Sequence, residues 1–206
     1  MPIAIEFKDI KKKYGENSLY QQLSGCIAAG CCTSITGNNG SGKSTFLKII
    51  AGLIRPSAGS IIYREAANVL TLEQVRSQIA FASPEMQLYS ALTAAENLRF
   101  FAAMASVPLS PEETAALLRQ VNLGKEAEKP LASFSTGMKQ RLKLALLPAA
   151  KRKIWLLDEP SSNLDAAGRQ IVSQLIQQAR SEQRTVLLAT NDPAEVAYAD
   201  TMFRLS

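Results

Sequence analysis

Gly37-Asn38-Asn39-Gly40-Ser41-Gly42-Lys43-Ser44-Thr45 is the stretch from which the architecture of this 206-residue chain is read. It satisfies the P-loop pattern Gly-x-x-x-x-Gly-Lys-Ser/Thr. It stands between a short apolar run, Cys31 to Thr36, and a helix-like stretch from Lys43 to Ala51 that Gly52 stops. Strand, glycine loop and helix in that order are the context the pattern requires. Glycines let the backbone curl so that successive N–H groups face a β-phosphate, and the helix N-terminus adds partial positive charge. Lys43 is read as the bridge between β- and γ-phosphates, and Ser44 as the hydroxyl offered to Mg²⁺.

Working outward, Ile154-Trp155-Leu156-Leu157-Asp158-Glu159-Pro160 is an apolar strand that delivers two carboxylates at its C-terminal end, where ligands bind in open parallel sheets. Asp158 is placed to hold Mg²⁺ and Glu159 to polarise a water that attacks the γ-phosphate. Ile3 to Phe7 alternates like a strand, and the pattern from Ala94 to Ala150 is helical, with Pro111 opening one helix. Strands return at Ile154 to Leu157 and Thr185 to Thr190, separated by a helical pattern from Ala166 to Glu182. The expected fold is an α/β parallel-sheet core with an N-terminal antiparallel β layer and an inserted α-helical lobe. One domain is expected over 1–206, its core at 1–84 and 151–206 and its lobe at about 85–150, with Ile154 to Leu157 lying beside Cys31 to Thr36.

A hydrophobic content of 47% suffices for a sizeable core. No apolar run approaches the roughly 18 residues that span a bilayer, so a soluble, cytoplasmic chain is expected. Three clustered cysteines, Cys26, Cys31 and Cys32, and no histidine anywhere argue against a zinc site or a disulfide framework. The net charge of +5 is carried partly by Lys11-Lys12-Lys13 and Lys151-Arg152-Lys153, read as solvated faces; no nucleic-acid partner is expected.

Between the two phosphate-chemistry motifs lies a third, Phe134-Ser135-Thr136-Gly137-Met138-Lys139-Gln140-Arg141, a serine and glycine cap opening a helix. With it, the chain from Phe7 to Phe203 resembles the ATP-binding subunits of ABC transporters, whose signature is commonly Leu-Ser-Gly-Gly-Gln. The resemblance implies a P-loop NTPase (RecA-like) fold and ATP sandwiched between two subunits, with Ser135 and Gly137 reaching the γ-phosphate held by the other one. It further implies that Ser161-Ser162-Asn163-Leu164-Asp165 is the loop at the dimer seam, and that Tyr14 stacks on adenine. The implied partners are an integral membrane permease and a second ATP-binding subunit, identical or different, at the inner face of the cell membrane.

Two positions depart from the family. Pro84 stands where a glutamine normally touches Mg²⁺ and the attacking water, with Glu85 next to it and Gln87 shortly beyond; proline offers no side-chain donor. Asn191 stands where a histidine normally contacts the γ-phosphate, and it can donate a hydrogen bond but carries no charge. Glu159, Lys43 and Asn191 are therefore the expected catalytic set. Slow ATP hydrolysis that powers a transporter is the first expectation, and a nucleotide-gated switch or interaction module with little or no hydrolysis the second.

Overall fold

The computed structural model describes residues 1–205. Strand β1 (Ile3–Tyr14) buries Ile3, Ile5, Phe7 and Ile10 on one face and becomes a run of lysines towards its end. It pairs antiparallel with β2 (Asn17–Ile27) on one side, and on the other with β4 (Ala58–Glu65), which continues into β5 (Asn68–Leu70). The order in this sheet is β2-β1-β4-β5.

A second sheet has β3 (Cys32–Thr36) between β8 (Thr185–Ala189) and β9 (Thr201–Arg204), all parallel. Beyond β8 lie β7 (Ile154–Asp158) and β6 (Ile79–Ala82). Every residue of β7 and β8 is buried, as near-continuous apolar runs in a parallel sheet require. The expected parallel core, antiparallel layer and helical lobe are all present, but the strand order differs from the expectation. β8 separates β7 from β3, so Ile154 to Leu157 does not lie directly beside Cys31 to Thr36. Strands buried on both faces look alike in sequence, so their apolar runs carry no signal of which neighbour each one takes.

The chain forms two compact units. The first comprises Met1–Phe81, Lys153–Asp158 and the chain from Ile176 onward, and the second Ala82–Arg152 with Glu159–Leu175. In the first, α1 (Lys43–Ile50) buries Phe46, Leu47, Ile49 and Ile50, while α2 (Leu72–Arg76) starts at a Thr71/Gln74 capping box. Phe46 and Phe203 each lie edge-on to Phe7, with ring centroids 5.1 and 5.2 Å from it.

The second unit holds α3 (Ala94–Met104), α4 (Pro111–Gln120), α5 (Thr136–Ala149) and the first part of α6 (Ala166–Ser181). Thr93 with Glu96 and Ser110 with Glu113 form capping boxes at α3 and α4, and Pro111 opens α4 as expected. Asn97, fully buried, accepts from Tyr89 N at 2.9 Å and donates to Thr93 O at 2.9 Å, pinning the loop before α3. Residues 159–175, assigned to the core from the sequence, group with the helices instead. Within this unit Gln140 Nε2 donates to Pro160 O at 2.9 Å, and Gly137 lies close to the Asn163 carbonyl.

A methyl group at Gly25 would stand 2.7 Å from Phe7 Cζ and 2.9 Å from Phe203 Cε2. Gly25→Ala is therefore expected to destabilise the fold by about 1–3 kcal/mol through overpacking of the aromatic cluster. The urea midpoint should fall with an unchanged slope; an unchanged midpoint would show that the rings yield without cost.

Candidate functional site

In the first unit the chain leaves β3 at Thr36, curls through Gly37 to Gly42 and enters α1 at Lys43. Gly42 is the N-cap of α1 with φ 93, a left-handed conformation that glycine alone adopts without strain, and no side chain caps the helix. No acidic residue lies in the first turn of α1, so its leading N–H groups remain open to an anion. The Tyr20 hydroxyl of β2, buried and with its pKa pushed up by that burial, donates to the Gly42 carbonyl. A Cβ on Gly42 would stand 2.4 Å from that hydroxyl.

Lys43 is only 6% exposed, and its ammonium donates to the carbonyls of Gly37 at 2.9 Å and Asn38 at 3.4 Å. The charge is thus held inside the curl where phosphate oxygens would replace carbonyl oxygens. Ser41 Oγ is buried in the same loop without a hydrogen-bond partner, an orphaned polar atom that fits a bound polyphosphate. Asn191 follows β8, and its Nδ2 donates to Asn39 Oδ1 at 2.8 Å, which brings one departure from the family onto the loop itself. Gly37, Asn38, Asn39, Asn191 and Arg204 line an open depression. Asp158 is buried at the C-terminal end of β7. Tyr14 ends β1 with an exposed ring, and Lys12 Nζ stands 4.8 Å from the ring centroid.

The second unit collects the remaining predicted residues. Ser135 caps α5, its hydroxyl accepting from Met138 N at 3.2 Å, and no acid occupies the first turn. Gly137 packs so closely on the Asn163 carbonyl that a Cβ there would stand 3.0 Å from it. Glu159 is the first residue of this unit after β7 and adopts φ 45, a strained left-handed conformation for a non-glycine residue. Asp165 caps α6 locally, accepting from Gly168 N at 2.8 Å. Pro84 offers only its carbonyl, which accepts from Lys143 Nζ at 2.7 Å, while the carbonyl of Ser83 accepts from the same ammonium at 3.3 Å. Burial lowers the pKa of Lys143.

The first unit therefore gathers residues 37–45 with Asn191, and the second gathers Ser135 and Gly137 with the 159–163 loop. Tyr20, Arg204 and Lys143 join these groups without having stood out in the sequence, and Gln140, quoted only as part of the third motif, joins them too. Each belongs to a strand or helix pattern in which its residue type is ordinary, and only the contact distinguishes it.

A sequence profile described as ABC transporter matches residues 20–162. The cytochrome c biogenesis ATP-binding export protein CcmA of Pseudomonas aeruginosa is 31% identical, over 96% of this chain and 98% of its own length. The lantibiotic transport ATP-binding protein SrtF of Streptococcus pyogenes is 33% identical, over 94% of this chain and 82% of its own. Among solved structures, a dimeric ATP-binding cassette in a post-hydrolysis state with ADP and Pi superposes with a TM-score of 0.85. It is 26% identical and covers 98% of this chain and 94% of that one. Profile, relatives and fold agree with the phosphate-binding loop: this chain belongs to the ABC transporter family, as one of its ATP-binding ATPases.

Proposed function

We propose that the chain binds Mg-ATP at Gly37 to Thr45, closes on a second ATP-binding subunit around the nucleotide, and hydrolyses it to drive an integral membrane permease. The observation that carries this reading is Lys43, buried in the curl of its own loop on carbonyls that phosphate oxygens would displace. No helix among the described residues is long and apolar enough to cross a membrane. That CcmA and SrtF are named as an export and a transport protein supports a role in transport.

Lys43 and the free N–H groups of α1 orient the β- and γ-phosphates, and Tyr14 offers its exposed ring to the adenine. Ser44 and Asp158 would hold Mg²⁺, which neutralises charge on the phosphate oxygens when bound. Glu159 polarises the attacking water, and Asn191 donates one hydrogen bond towards the γ-phosphate once it leaves Asn39. Ser135 and the first turn of α5 bind the γ-phosphate held by the partner subunit. The Asn191–Asn39 bond favours the second reading, a nucleotide-gated switch or interaction module with little or no hydrolysis, because it engages the donor that the γ-phosphate would need.

Lys43→Ala should weaken Mg-ATP binding by about a hundredfold, the equivalent of two lost charge-assisted hydrogen bonds; unchanged affinity in calorimetry would remove the phosphate-loop assignment. Ser135→Arg should leave ATP binding by the single subunit intact and abolish ATP-dependent dimerisation in light scattering, and persistent dimers would sink the sandwich. Glu159→Gln should trap an ATP-bound dimer, while Asn191→His should raise turnover and add a pH dependence near about 6.5. A fast wild type in which Asn191→Ala is harmless would show that this position does not limit hydrolysis.

A further inference from the structure

The buried amide of Gln140 is a polar group that the proposed chemistry leaves unused. Gln140 lies on α5, one helical turn beyond the Ser135 cap, and is 7% exposed. Its Nε2 donates to the Pro160 carbonyl at 2.9 Å, on the residue that directly follows Glu159. Glu159 holds φ 45, and its own carbonyl accepts from Ser162 N at 3.0 Å. A left-handed glutamate persists only where its surroundings over-determine it. Among the constraints are the proline ring, the turn closed by Ser162 and the Gln140 amide. The first two belong to the turn itself, whereas Gln140 ties it to α5.

Resting on the reading of Glu159 as the residue that polarises water, we infer that Gln140 is a positioning residue for Glu159, so that α5 links the Ser135 cap to the hydrolytic carboxylate of the same subunit. In the sandwich, Ser135 meets the γ-phosphate held by the partner, whereas Glu159 serves the nucleotide held by its own chain. A rigid helix with Ser135 at its tip and Gln140 one turn further lets occupancy of one nucleotide site bear on hydrolysis at the other. Lys143, on the next turn, holds the Ser83 and Pro84 carbonyls and fixes the helix to a second loop. An amide does not titrate, so the link is insensitive to pH.

The test is Gln140→Met in the full chain, which keeps the length of the side chain and removes its donor. The variant should remain folded by circular dichroism and bind Mg-ATP with unchanged affinity in calorimetry. Its kcat should fall by about tenfold to a hundredfold at constant KM, the cost of a misplaced catalytic group. In a Glu159→Gln background the same substitution should cause no further loss, because it acts through the carboxylate already removed. Unchanged kcat overturns the inference, as does a parallel loss of ATP affinity or a full additional loss in the Glu159→Gln background. If Gln140→Met does not fold, Gln140→Glu, which sets an acceptor against the Pro160 carbonyl, carries the same comparison. A wild type without turnover, or one whose turnover survives Glu159→Gln, overturns the assignment of Glu159 on which the inference rests.

Discussion

The left-handed turn at Gly42 is the constraint on which the first unit depends. It allows β3 to pass into α1 within a few residues and leaves the start of that helix uncapped. A helix start without a cap is unfavourable in isolation. Burial of Phe46, Leu47, Ile49 and Ile50 holds α1 in place regardless, and the hydroxyl of Tyr20 secures the Gly42 carbonyl from β2. The antiparallel sheet thus takes part in shaping the phosphate loop, through one aromatic side chain that reaches its last turn.

Chemistry is divided between the two units in a physically consistent way. The first offers N–H groups, an ammonium and a buried carboxylate on short, tightly packed connections. The second offers a capped helix with three polar attachments at Ser135, Gln140 and Lys143, each engaging a loop or its own first turn. Glu159 stands at the covalent junction between the two groups of residues, and its positive φ stores about 1–3 kcal/mol that neighbouring contacts must offset.

Much of this was legible in the sequence because the chemistry demands particular residue types at fixed spacing. Glycines preceding Lys43, two acids closing an apolar strand, and a serine and glycine at a helix start admit few readings when they occur together. Pro111 also opened its helix where its missing N–H predicts. The order of buried strands was not legible, since Ile154 to Leu157 and Val186 to Ala189 are both unbroken apolar runs. Nor was the grouping of residues 159–175 with the helices, because contacts such as that of Gln140 with Pro160 leave no local pattern. The Asn39–Asn191 pair was invisible for the same reason: a contact across 152 positions leaves no local trace.

The capping boxes of the helical unit give that unit a sensitivity to acid. Glu96 and Glu113 accept backbone N–H bonds from Thr93 and Ser110, and these hold both carboxyls below the usual carboxylate range. A depressed folded-state value means that the stabilisation is complete above the ordinary carboxylate range and is lost as pH falls through the lower, folded values. The corresponding box at α2 uses Gln74, which does not titrate. Acidification would therefore loosen the starts of α3 and α4 while leaving that of α2 closed.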